Sequence, residues 1–190
     1  MTVTSLLSPL RVAGVRTALC DDVAIDRITA LGHQLIAVHE DLREQVDALY
    51  EAFDRWADGA TTPGVDLSHH CIAFCRALHR HHTGEDAGLF TVLLKEHPDL
   101  EPVIGQLVRD HDFLASILVK LDALAKGWSA DADPHEVYAA RQELDGLAAV
   151  LENHFAYEER KLVPILNALR PALDSPEIDQ VNRALLLGDD

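Results

Sequence analysis

The sequence predicts an all-α protein: an up-down-up-down four-helix bundle with an N-terminal arm and a short fifth helix at the C-terminus. Three observations carry that reading. Apolar residues return at spacings of three and four along four long stretches, Gly and Pro gather in the short segments between them, and no stretch alternates with the period of two that a strand requires. The breaking segments are DGATTPGVD at 58–66, HPDLEP at 97–102, GWSADADP at 127–134 and RPALDSPE at 170–177.

The first stretch, Asp22 to Trp56, carries Ile25, Ile28, Leu31, Leu35, Val38, Leu42, Val46, Leu49 and Phe53 on one stripe, while Asp41, Glu44, Asp47 and Glu51 form its solvated face. A second helix is expected from Leu67 to Lys95 and a third from Leu100 to Lys126. The fourth, Pro134 to Leu169, has the clearest start: Asp133 as N-cap, Pro134 at the first helical position and Glu136 as a capping-box acid. Pro164 lies inside it and is expected to kink it or end it early. Residues 1–21 show no firm periodicity and read as an arm packed on a bundle that spans 22–169. In 170–190, Ser175, Pro176, Ile178, Val181 and Leu185 mark the short fifth helix.

With 190 residues, 48% of them hydrophobic, the chain can bury an ordinary core without disulfides or a structural metal, so a metal held here would serve function. Its three cysteines, Cys20, Cys71 and Cys75, are an odd number, which argues against disulfide stapling and fits a reducing compartment. No apolar run approaches the roughly 18 residues that span a bilayer. The opening MTVTSLLSPLRVAGVR also lacks the pattern of a secretion signal, so the expectation is a soluble, cytoplasmic protein. Sixteen Lys and Arg against 32 Asp and Glu, a formal charge of -16, exclude nucleic acid and anionic membrane as partners. Eleven histidines in a chain that is only 5% aromatic point towards metal chemistry.

A repeat locates that chemistry. The segment beginning at His81 and the segment beginning at His154 align with Glu85 on Glu158, Asp86 on Glu159, Leu89 on Leu162 and Leu93 on Leu166. The first and third helices match too, around His39 and His111, each with a leucine four residues before and another three residues after. The chain thus reads as two copies of one helical hairpin, each delivering a His and then a His-x-x-x-Glu. Four residues advance about 6 Å along an α-helix and overshoot one turn by about 40°, so His81 with Glu85, and His154 with Glu158, project from one face. Both pairs share a stripe with apolar residues, and buried carboxylates without a partner or a metal are costly. Metal candidates are therefore His39, His81, Glu85, His111, His154 and Glu158. Two octahedral ions at roughly 3.5 to 4 Å offer twelve positions, and four imidazoles, two bridging glutamates and a bridging oxide or hydroxide leave two open. Such a mixed N/O set suits iron, with manganese second, better than zinc.

The remaining candidates are assigned elsewhere. Glu159 competes with Glu158 and would need a local bulge to enter, and Tyr157 rotates away from the site. His82 with Asp86 repeats the spacing of His81 with Glu85 but is turned about 100° from the apolar stripe. His69, His70, His79 and His82 are therefore read as surface residues or outer supports, and His33, His97 and His135 as solvated. Cys71 and Cys75 are read as small buried thiols and Tyr50 as core.

Over residues 22–169 the chain resembles the hemerythrin-like proteins, four-helix bundles with a non-haem di-iron centre. The resemblance rests on the ordered His39, His81-x-x-x-Glu85, His111 and His154-x-x-x-Glu158, and on the Glu158–Glu159 pair with a proline downstream. It implies two iron ions, oxo- or hydroxo-bridged. Oxygen-carrying hemerythrins add a fifth histidine one turn from the first on the third helix, where this chain has Leu107 and Ala115. Two exchangeable positions suit reaction with hydrogen peroxide, nitric oxide or oxygen better than reversible carriage. The leading expectation is a di-iron oxidoreductase, catalase- or peroxidase-like or nitric oxide-handling. One alternative is a protein that binds or senses oxygen, iron or redox state without turnover, with the segment after Pro171 as its moving element. The other is a di-iron oxygenase acting on an organic substrate beside Gly84, Gly88 and Ala115.

Overall fold

The computed structural model describes residues 16–58, 65–127 and 133–169. Helix α1 spans Arg16–Ala57 and α2 spans Val65–Gly84; a π-turn at Glu85–Leu89 leads into α3, Phe90–Glu96. A 3-10 turn at Pro98–Leu100 leads into α4, Glu101–Gly127, and α5 spans Pro134–Ala168. Among the described residues there is no strand. With α2 and α3 continuous through the π-turn, the elements make four rods. α1 packs on α2 and α5, and α4 packs on α2 and α5, which closes the ring expected of a bundle with short connections.

Local chemistry sets the limits of these rods. Asp133 caps α5 by accepting from the His135 N–H at 2.8 Å, and Glu136 returns an acceptor to the Asp133 N–H at 3.2 Å. Pro164 does not end α5, which runs on to Ala168. Pro164 and Arg160 both face solvent, so water can satisfy the carbonyl that the missing N–H leaves without a partner. α1 begins at Arg16, upstream of the expected Asp22. Residues 1–15 of the expected arm and the helix expected after Pro171 lie outside the described residues. Gly32 lets α1 close on α5, because a Cβ there would meet the Asn167 side chain and lie 3.2 Å from Val163 Cγ1.

The core has two apolar layers. One holds Leu42, Leu49, Phe53, Phe74, Leu78, Leu114, Leu121, Leu147, Leu151 and Phe155. The other holds Leu31, Leu35, Leu89, Phe90, Leu93, Leu107, Leu162 and Leu166. Fully burying each such side chain contributes about 1.5–3 kcal/mol. Every rod passes from one layer to the other through a short polar segment, and at that level the interior holds imidazoles and carboxylates instead of hydrocarbon.

The π-turn sits at this level on the second rod. The Phe90 N–H donates to the Glu85 carbonyl, five residues back, so the turn holds one extra residue. As a result Gly88, Leu89 and Phe90 are buried in succession, and Phe90 reaches the ring of His111 at 5.7 Å. Nothing in the sequence periodicity marks this turn; α5, where entry of Glu159 would need a bulge, is unbroken.

Candidate metal centre

Each of the four rods delivers one imidazole to the polar layer: His39 from α1, His81 from α2, His111 from α4 and His154 from α5. Glu85 of the π-turn and Glu158 of α5 add the carboxylates. All six are between 0% and 4% exposed, so solvent does not satisfy their polar atoms. The donor atoms fall into two groups, each with its atoms within 4.8 Å of one another: His39, His81, Glu85 and Glu158 in one, and His82, His111 and His154 in the other.

The glutamates stand between the groups. Glu85 Oε1 lies 3.5 Å from His81 Nε2, and its Oε2 lies 3.6 Å from His111 Nε2. Glu158 Oε2 lies 3.5 Å from His39 Nε2 and 3.6 Å from His154 Nε2. Both carboxylates therefore face an imidazole of each group.

An outer pair of acids orients the rings. Glu159 Oε1 accepts from His39 Nδ1 at 2.9 Å, and Asp86 Oδ1 accepts from His111 Nδ1 at 2.9 Å. An ionised carboxylate can only accept, so the proton sits on Nδ1 and Nε2 is the atom aimed inward. Arg43 braces the first of these acids, donating to Glu159 at 3.0 Å and to Glu152 at 2.7 Å. Aromatic rings complete the packing: Phe155 stacks on His39 at 4.2 Å and 17°, and His82 stacks on His111 at 3.9 Å and 7°.

Burial and charge pull the titrations apart. Burial opposes charge on His39, but Glu158 and Glu159 outweigh it and hold this imidazole above its ordinary value. Burial pushes His81 down to about 3 and His154 down to about 4, and it lowers His82 as well. Glu85 is raised well above the carboxylate range, first by burial and then by the charge of Glu158. Burial would raise Glu158 too, yet His39, 3.5 Å away, holds it low. His39 Nε2 and His81 Nε2 approach to 3.0 Å, the distance of a hydrogen bond between the two rings.

The residues fit a metal centre because so many of their inward atoms lack any partner in the protein. Both oxygens of Glu85 and of Glu158 are buried and without a hydrogen bond, as are Nε2 of His82, His111 and His154. Orphaned buried groups of this kind cost about 1–3 kcal/mol each, and a cation shared between them removes the deficit.

Of the two places the sequence left for His82, surface residue or outer support, burial removes the first. His82 is 6% exposed and shares a donor group with His111 and His154. The reason lies in α2, which packs against both α1 and α4 and so buries an arc wide enough for consecutive residues. His81 meets His39, and His82, one position on, meets His111. A signal existed in the sequence, since His82 keeps the same spacing to Asp86 as His81 keeps to Glu85. The other assignments divide plainly. Glu159 and Asp86 stand outside the cluster as partners of its histidines, and His33, His69, His79 and His135 are exposed while His70 and His97 are half-buried. Cys71 is buried and Cys75 half-buried, both as free thiols 3.9 Å apart. Tyr50 is half-buried with its hydroxyl donating to Asp145 at 3.0 Å. Tyr157 packs beside the second apolar layer, Gly88 is buried, and Ala115 is exposed.

Four helical rods around a buried layer of histidines and bridging-capable carboxylates define a metal-binding bundle. The family model described as the hemerythrin HHE cation binding domain matches residues 31–166, and the chain belongs to that family. No curated protein and no solved structure matches the chain significantly. Among the described residues no helix is long and apolar enough to cross a membrane.

Proposed function

We propose that this domain holds two iron ions between its two donor groups and reacts there with a small oxidant: hydrogen peroxide, nitric oxide or oxygen. The observation that carries the reading is the placement of Glu85 and Glu158, each facing an imidazole of both groups, as carboxylates that bridge two cations must. A mixed set of imidazoles and carboxylates favours iron or manganese over zinc, and iron is the metal usual to the family.

When bound, an iron pair supplies adjacent Lewis-acid positions that exchange electrons with a small ligand. The residues of the chain perform the rest. Glu159 and Asp86 hold the Nδ1 protons of His39 and His111, which fixes each ring and makes its inward nitrogen more basic. The apolar layers above and below exclude bulk water. Packing this tight, with Leu35, Leu107 and Leu162 fully buried, favours a ligand of two to four atoms over an organic substrate. For peroxide the reaction balances without an outside reductant, since two molecules give two waters and one dioxygen.

The test mixes iron-loaded protein with hydrogen peroxide at an oxygen electrode and, separately, with nitric oxide under anaerobic conditions. Peroxide-dependent oxygen release or nitric oxide consumption, lost in Glu85→Gln, is expected. Inertness of a fully loaded sample towards peroxide, nitric oxide and oxygen would overturn the reading.

A further inference from the structure

We infer that Cys71 and Cys75 form a second metal site, apart from the polar layer, that takes one soft ion of low coordination number, cuprous copper. It does not draw on the iron reading. Cys75 stands six residues before His81, about 9 Å along α2, and both thiols belong to the first apolar layer.

The two sulfurs share one face of α2, a turn apart, and lie 3.9 Å from each other. That separation decides between the two things a thiol pair can do. A disulfide needs its sulfurs at about 2.05 Å and its Cβ atoms at about 3.5–4.5 Å, whereas residues four apart on an intact helix hold their Cβ atoms about 5–6 Å apart. Closing that bond would distort α2, which is regular from Val65 to Gly84. An atom bonded to both sulfurs at about 2.3 Å, the usual metal–thiolate length, asks for no such movement. For it, 3.9 Å between the sulfurs corresponds to an angle of roughly 116°.

The surroundings narrow the choice of ion. Among the described residues no His, Asp or Glu completes a group of three donors with these thiols, and His79, one further turn along, is exposed. Tetrahedral zinc asks for four ligands, so a site of two thiolates suits cuprous copper, a soft ion that thiolates select. Cys71 is fully buried beside Leu67, Phe74 and Leu121, which keeps that side dry, while half-buried Cys75 leaves a way in. The bond between the thiols pushes Cys71 up and Cys75 down, and burial and the charge of Asp122 on α4 oppose ionisation of both. A cation between the sulfurs turns that negative charge into a favourable neighbour.

The test titrates reduced, iron-loaded protein without oxygen, using cuprous copper buffered by bicinchoninate, and then maps iodoacetamide alkylation by mass spectrometry. One copper per chain is expected, with a thiolate-to-copper band in the ultraviolet and with Cys75 protected from alkylation. Cys75→Ser, a conservative change at the half-buried position, should weaken copper binding at least about hundredfold and leave the circular dichroism and iron content of wild type. Cys20→Ser should bind copper as wild type does, and zinc in equal amount should not displace it. Copper held as tightly by Cys75→Ser, alkylation of Cys75 undiminished by copper, or displacement by zinc would overturn the inference. So would a Cys71–Cys75 disulfide formed on mild oxidation in place of copper uptake. A chain that takes no iron yet takes copper at this pair would sink the iron reading and leave this one standing.

Discussion

The two halves of the polar layer come from one repeated hairpin and are finished differently. In the half built on His39, the Nδ1 proton goes to Glu159, Arg43 braces that acid, and Phe155 covers the ring. In the half built on His111, the proton goes to the shorter Asp86, the position matching Arg43 is Ala115, and His82 covers the ring. The halves share their donors but are unequal in charge and in the ring that covers each histidine. The lesson is that equivalent backbone positions do not make equivalent sites, since the ring that covers the histidine is a phenyl on one side and an imidazole on the other.

Removing what the halves share should have the largest effect. Glu85→Leu deletes a carboxylate that faces both groups, so iron content after loading and desalting should fall to one per chain or less. The same substitution removes a buried, unpartnered acid, so the metal-free protein should gain on the order of 1 kcal/mol in urea unfolding. Full iron retention, or a metal-free protein clearly less stable than wild type, would show that Glu85 serves the fold and not a cation.

Intermediate effects should come from the outer acids, one in each half. Glu159→Gln and Asp86→Asn should each weaken iron binding by about 10–100-fold in chelator competition, because each removes the negative charge that strengthens the bond to Nδ1 and makes the histidine more basic. Arg43→Ala should weaken it by less than tenfold and disturb only the ion beside His39. Equal disturbance of both ions by Arg43→Ala would contradict the division into halves.

The smallest effect expected is on pH dependence, and it too separates the halves. His39 is held above its ordinary value and Glu85 well above its own, so each keeps its proton to a higher pH than usual and that proton competes with a cation. Iron affinity should therefore fall as pH drops through the raised value of His39, and uptake should release more protons at pH 6 than at pH 8. His81 and His154, depressed to about 3 and about 4, are already neutral across that range and add nothing. Proton release that is flat between these pH values, measured in weak buffer, would contradict the assignment.

Much of this was legible in the chain. The spacing of three and four laid out the rods, and the aligned histidines and acids named the six residues that the bundle gathers into one buried layer, because helical phase alone decides which side chains share a face. Asp86 and Glu159 were visible as an acid repeated after each glutamate, although their role as acceptors for His111 and His39 depends on how far apart the rods stand. Two features were not legible. The π-turn at Glu85–Leu89 leaves no mark in the periodicity, since it answers to packing around Glu85 and Phe90. The burial of His82 is the other, since the periodicity of α2 shows a single stripe whereas a rod wedged between two neighbours buries two adjacent directions.

The most direct test is a count of metal. Protein loaded with ferrous iron without oxygen, desalted and assayed by plasma emission against amino-acid analysis, should carry about two irons per chain. A folded chain that retains one iron or none would contradict a centre built to clasp a pair.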